Sequence, residues 1–149
     1  MALVYADTSV LFAYFYPRDE FSLRVDEAVQ QLSPDFVYWS FLRFELRHNL
    51  RMRRTNSYGE LAWHALRAAE KTTLRLRWQS EMDADKLLAA AEDLSADKAK
   101  ILNCGSADYL HVAAARRLSL MNEVHEFWSC DARQVGLAKA LGLKTKLFV

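Results

Sequence analysis

Three short apolar runs, Leu3-Val4-Tyr5-Ala6, Phe36-Val37-Tyr38 and Glu126-Phe127-Trp128-Ser129-Cys130, are each followed within a few residues by apolar positions at helical spacing. Strands this short, alternating with helices, can rejoin one sheet only through crossover connections. The fold they specify is therefore α/β, a short parallel β-sheet with α-helices on both faces. At 149 residues and 52% hydrophobic content, the chain supplies one core of this kind and needs no second. Residues 1–149 are read as a single domain.

The first strand, Leu3 to Ala6, ends at Asp7, and Thr8-Ser9 opens an apolar helical turn from Val10 to Tyr16 that Pro17 stops. A second helix runs from Phe21 to Leu32, closed by Ser33-Pro34. Ser40 is expected to cap a helix reaching about Arg53, and Asn56 to Gly59 to separate it from a helix over Glu60 to Lys71. Alternating Leu and Arg over Thr73 to Trp78 reads as extended. Helix returns over Asp83 to Leu94 and Ala96 to Leu102, and Ser106 is expected to cap a helix through Leu118. Asp131 to Leu141 reads as a helix with Gly142 as its C′ residue, and Lys144 to Phe148 as a last strand.

A formal net charge of +1 makes no global case for a polyanionic partner, so any such case rests on where the basic residues cluster. Arg43, Arg47, Arg51 and Arg54 share an arc of about 80° on one helix. Two cysteines, Cys104 and Cys130, are too few for a disulfide framework and lack zinc-finger spacing. No apolar stretch approaches the roughly 18 residues of a membrane span, and no signal peptide is evident, so a cytoplasmic protein is expected.

Four acidic residues then stand out. Asp7 and Asp131 follow apolar strands, and in open α/β sheets the ligand crevice lies outside the carboxyl ends of such strands. Glu45 and Asp108 lie in helices with apolar neighbours, Phe41 and Leu42 for the first, Val112, Ala115 and Leu118 for the second. A charge placed there is costly unless a partner compensates it. Taken singly, Asp7 and Asp131 also suit helix N-caps, and Asp108 suits the positive end of a helix dipole. Taken together, Asp7, Glu45, Asp108 and Asp131 form a set of hard oxygen ligands suited to Mg²⁺ or Mn²⁺ rather than zinc. Such an ion activates water toward a phosphodiester. His111, three residues after Asp108, is read as packed or as supporting a ligand rather than as a ligand itself.

The order and spacing of four segments resemble the PIN-domain nucleases, and among them the VapC-type ribonuclease toxins of toxin–antitoxin operons. The segments are Val4-Tyr5-Ala6-Asp7-Thr8-Ser9-Val10-Leu11, Phe44-Glu45-Leu46-Arg47, Asp108 through Ala115, and Ser129-Cys130-Asp131-Ala132-Arg133-Gln134. The resemblance implies a PIN-like three-layer fold and a divalent-cation-dependent endoribonuclease with Asp7, Glu45, Asp108 and Asp131 as its catalytic, metal-holding acids. It also implies an RNA substrate, a cognate antitoxin protein, a homodimer and no membrane association. Thr8, Ser9 and Ser129 match hydroxyl positions that orient ligands or water, and they equally suit helix caps. Arg43, Arg47 and Arg51 become the expected nucleic-acid-binding face. The chain departs from the pattern in lacking an arginine before Asp108 and in carrying Ser129 where threonine is commoner. Two other readings remain: a PIN-like module that binds RNA or protein without catalysis, and an aspartate-based phosphatase or phosphotransfer domain. The second lacks the usual acid two residues after Asp7, where Ser9 stands.

Overall fold

A computed structural model describes residues 2–98 and 103–149. Among these, seven helices flank a five-stranded sheet in a three-layer α/β arrangement. The strands are β1 (Leu3–Ala6), β2 (Asp35–Tyr38), β3 (Leu76–Trp78), β4 (Glu126–Ser129) and β5 (Thr145–Leu147). The helices are α1 (Thr8–Phe15), α2 (Ser22–Leu32), α3 (Ser40–Arg51), α4 (Ser57–Thr72), α5 (Ala84–Lys98), α6 (Ser106–Leu120) and α7 (Ala132–Ala140).

All neighbouring strands are parallel, in the order β3-β2-β1-β4-β5. The chain winds outward from β1 through β2 to β3, then crosses back to β4 on the other side of β1. Right-handed crossovers leaving in opposite directions place their helices on opposite faces. Accordingly α1 packs with α2, α3 and α4, while α6 packs with α5 and α7. The strand order reverses between β1 and β4, and such a reversal opens a crevice at the carboxyl ends of the two strands. Ala6 lies opposite Trp128, and the Asp7 N–H continues the ladder to the Trp128 carbonyl at 3.0 Å. This register sets Asp7 beside Ser129 at the mouth of the crevice.

Burial on both faces explains why the central strands are apolar throughout rather than alternating. Tyr5, Phe36, Phe127 and Trp128 are fully buried, with the Tyr5 and Phe127 rings stacked at 5.7 Å between centroids. The stripe Leu42, Leu46 and Leu50 seats α3 against the core, each side chain contributing about 1.5–3 kcal/mol. At the turn into α4, a Cβ on residue 59 would sit 1.6 Å from the Arg53 carbonyl oxygen, so only glycine fits where Gly59 stands. After α7, Gly142 takes φ 83° and donates to Lys139, and Leu143 donates to Ala138, a Schellman closure as expected.

Several helix starts differ from the sequence reading by one position or more. Trp39 and Gly105 hold the extended cap conformation, so Ser40 and Ser106 are first helical residues and not caps. Asn56 caps α4 through Gly59 N–H at 2.9 Å, which draws Ser57 to Gly59 into the helix. Thr73 and Arg75 take left-handed φ values of 54° and 62°, which limits the extended stretch to the three residues of β3. The expected break near Ser95 is absent and α5 runs through to Lys98; the remainder of that expected helix, 99–102, lies outside the described residues.

Candidate active site at the carboxyl edge of the sheet

Asp7 is both a helix cap and a buried carboxylate. Its Oδ1 accepts the Val10 N–H at 3.1 Å and the Ser9 hydroxyl at 2.5 Å, and its Oδ2 accepts the Ser129 hydroxyl at 2.6 Å. Three of its roughly four lone-pair positions are thus taken, and the one left is on Oδ2. Burial raises the carboxyl's pKa, opposed by the hydrogen bonds from Ser129 and Ser9, the electrostatic pull of His111 and the Val10 N–H. Ser129 has a single proton and two acceptor neighbours, Asp7 Oδ2 and, at 3.1 Å, Gln134 Oε1. The buried Gln134 Nε2 has no partner among the described residues, so turning the amide to donate to Ser129 Oγ satisfies both groups. Ser129 Oγ also accepts the Asp131 N–H at 2.9 Å, linking the ends of β1 and β4.

Glu45 reaches the same edge from α3, where it is tied to a chain of buried polar groups. Thr8 donates its hydroxyl to Glu45 Oε1 at 2.7 Å, and His111 Nε2 lies 2.5 Å from the same oxygen. Behind His111, Tyr5 Oη lies 2.7 Å from Nδ1, and Trp39 Nε1 donates to Tyr5 at 3.0 Å. Indole can only donate. Tyr5 therefore accepts from Trp39 and gives its own proton to Nδ1, which leaves the Nε2 proton to point at Glu45. Burial pushes the Glu45 carboxyl up, but the His111 hydrogen bond and electrostatic attraction, with the Thr8 hydroxyl, outweigh it and hold the group below its ordinary range.

Asp108 and Asp131 are less constrained. Asp108 Oδ2 accepts the Gly105 N–H at 3.0 Å across the first turn of α6. Its pKa is raised first by burial and further by the negative charge of Asp131, against the Gly105 N–H, His111 and Arg133. Asp131 caps α7 through the Arg133 N–H at 2.9 Å and meets the Arg133 guanidinium at 3.3 Å. Burial raises its pKa, yet the several Arg133 contacts prevail and lower it.

The four acids therefore do not form one compact cluster. Among the described residues, no group of three or more His, Cys, Asp or Glu side chains stands close enough to hold a metal ion as placed. Asp7 is clamped by hydroxyls, Glu45 is bound to His111, and Asp108 feels Asp131. The donor chemistry nonetheless suits a hard cation: all are carboxylate oxygens, Asp7 Oδ2 keeps a lone pair, and the repulsion between Asp108 and Asp131 is what a bound cation relieves. Thr8, Ser9 and Ser129 all bond the carboxylates, and none of them is the cap of α1 or α7.

The arginine face divides. Arg47 is neutralised by Glu70 at 3.0 Å, a carboxylate that also accepts from Tyr38 and Arg67. Arg43 stacks over Trp78 at 4.8 Å and Arg51 over Trp63 at 4.9 Å, and neither has an acidic partner among the described residues. Tyr5 and Trp39 escaped the sequence reading because their contacts span 106 and 34 residues. The one local sign was a hydroxyl in a strand otherwise apolar, since a buried phenol needs a partner.

The sequence matches no protein-family model and no curated protein. Among solved structures, the chain is similar to a domain of a functionally unknown protein from Methanocaldococcus jannaschii DSM 2661, at 15% identity and a TM-score of 0.52, over 100% of this chain and 92% of that one. At that identity the likeness concerns the fold alone.

Proposed function

We propose that the protein is a divalent-cation-dependent endoribonuclease of the PIN-domain type, acting in the cytoplasm as the toxin of a toxin–antitoxin pair. The observation that carries this reading is the meeting of Asp7, Ser129 and Asp131 at the strand-order reversal, with Asp108 near enough that Asp131 raises its proton affinity. Asp7, Asp108 and Asp131 would hold Mg²⁺ or Mn²⁺, which when bound supplies an activated water and neutralises charge on the phosphodiester. Glu45, kept ionised and with Oε1 occupied by Thr8 and His111, presents Oε2 to accept a proton from water. Arg43 and Arg51, which have no acidic partner among the described residues, offer their guanidinium groups to backbone phosphates. Among the described residues, no helix is long and apolar enough to cross a membrane. The antitoxin and a homodimer belong to the same proposal, resting on the sequence resemblance.

One observation favours a second reading, an RNA- or protein-binding module without catalysis: Glu45 and Asp131 already hold partners in His111 and Arg133. The aspartate-nucleophile reading is weakened by the three hydrogen bonds that immobilise Asp7. The test is incubation of the purified protein with RNA, with Mg²⁺ or Mn²⁺ and then with excess EDTA. Internal cleavage that stops on chelation supports the nuclease. Binding without cleavage under either ion supports the module, and cleavage indifferent to chelation removes the metal from the account.

A further inference from the structure

Beside Asp7, outside the carboxylate site, a cavity of about 490 Å³ opens between the start of α1, the loop into α2 and the end of α3. One wall is formed by Ser9 and Cys130, the pair joined by the Cys130 N–H to Ser9 Oγ contact at 3.2 Å, and Ser9 in turn holds Asp7. Whatever occupies the cavity therefore sits one residue from the proposed reaction centre. Beside Met52, the other walls offer rings, an amide and a cation. Phe12 and Phe21 supply half-buried aromatic surface, Asn49 an exposed amide, and Arg53 an exposed cation. Asp19 also lines the cavity, its Oδ2 taken by the Phe21 N–H at 2.9 Å.

Arg53 differs from its neighbours in what it touches. Arg47 is neutralised by Glu70 and Arg54 by Glu60, whereas Arg53 has no acidic partner among the described residues and lies over the rings of Phe12 and Tyr16, 5.9 Å from each centroid. Its backbone is fixed because Gly59 packs directly on its carbonyl. A cation held on an aromatic face, an amide offering both donor and acceptor, and apolar ring surface are the groups that recognise an unpaired nucleotide. The cation meets the phosphate, the ring takes the base, and the amide reads a base edge. The cavity's size suits one nucleotide, and bases still paired in an A-form duplex cannot enter it.

We propose that this cavity is a subsite for one unpaired ribonucleotide next to the cleaved bond, with Arg53 and Asn49 as its polar contacts. The proposal rests on the nuclease reading for its place in a reaction, but not for its binding. It is tested with the full chain in EDTA, so that nothing is cut, by fluorescence anisotropy with a labelled single-stranded oligoribonucleotide and the same strand in duplex. The double variant Arg53→Ala, Asn49→Ala changes two exposed side chains and leaves the core alone. It should bind the single strand roughly tenfold more weakly, with a shallower salt dependence. Arg117→Ala, on α6, should bind as the unaltered protein does. Nucleoside monophosphates should shift the amide signals of Phe12, Phe21 and Asn49. Unchanged single-strand affinity in the double variant, preference for duplex, or shifts confined elsewhere overturns the subsite, as does a variant that loses a protein partner while keeping RNA. If no metal supports cleavage yet the double variant loses RNA, the subsite stands and the nuclease reading falls. If the unaltered protein cleaves and the double variant binds and cleaves equally well, the reverse holds.

Discussion

The two sides of the sheet edge are built differently. On the side of β1 and α3, Asp7 and Glu45 are held by three hydroxyls, an imidazole and a backbone N–H, and the chain of support runs back through Tyr5 to Trp39 in the core. On the side of α6 and α7, Asp108 holds little beyond its own helix end and feels the charge of Asp131, which is itself paired with Arg133. Folding alone completes the first side. The second keeps an unfavourable charge arrangement, and there a bound cation would do most. On the proposed reading, Asp7 and Glu45 are the acids oriented in advance, and Asp108 and Asp131 those whose surroundings a cation would change most.

The largest expected effect comes from Asp7→Asn. Asn caps helices about as well as Asp, so the fold should persist while RNA cleavage falls on the order of a hundredfold or more. Its stability has a definite sign. Because burial raises the folded pKa of Asp7, the folded state binds the extra proton, and stability falls as pH rises from the ordinary aspartate range through that raised value. The Asn variant should lose this pH dependence and be no less stable at neutral pH, as urea denaturation across a pH series would show. An unfolded variant would mean that Asp7 serves the fold alone.

Tyr5→Phe tests the pinned side. It strands Trp39 Nε1 and His111 Nδ1 in a fully buried site, at about 1–3 kcal/mol for each unsatisfied group. The same urea measurement reads it. Stability equal to that of the unaltered protein would mean that this polar chain holds nothing in place.

What could be read in advance follows from the same geometry. β1 and Asp7 were legible because strand, cap and carboxylate occupy adjacent positions, and the parallel sheet followed from strands that alternate with helices. The order reversal at β1 was not, because no local pattern says on which side of β1 the returning strand β4 inserts. Glu45 was read as needing a partner, and His111 as packed or supporting a ligand, but nothing local joins the two, because they stand 66 residues apart. Ser40 and Ser106 are good cap residue types, yet caps are defined by backbone, and the extended residues are Trp39 and Gly105. Thr73 to Trp78 alternates like a strand, but left-handed Thr73 and Arg75 turn the chain before pairing begins.

Smaller effects lie on the open side. Asp131→Asn keeps the α7 cap and removes one like charge, so the Asp108 carboxyl should titrate at lower pH, as ¹³C NMR of labelled aspartate would show. No movement would mean that the two acids are independent. The smallest effect should separate the arginines: Arg43→Ala and Arg51→Ala should each weaken RNA binding and flatten its salt dependence by about one phosphate contact, whereas Arg47→Ala should leave the salt slope unchanged. Equal slopes for all three would dissolve the distinction between neutralised and available cations.

The central claim is that a hard cation binds where the open side meets Asp7, and Mn²⁺ titration followed by amide NMR tests it most directly. Paramagnetic broadening should appear first at Asp7, Asp108, Ser129 and Asp131, be relieved by EDTA, and weaken markedly in Asp108→Asn. Broadening centred on any other part of the protein, or none at Mn²⁺ concentrations that support RNA cleavage, would contradict the account.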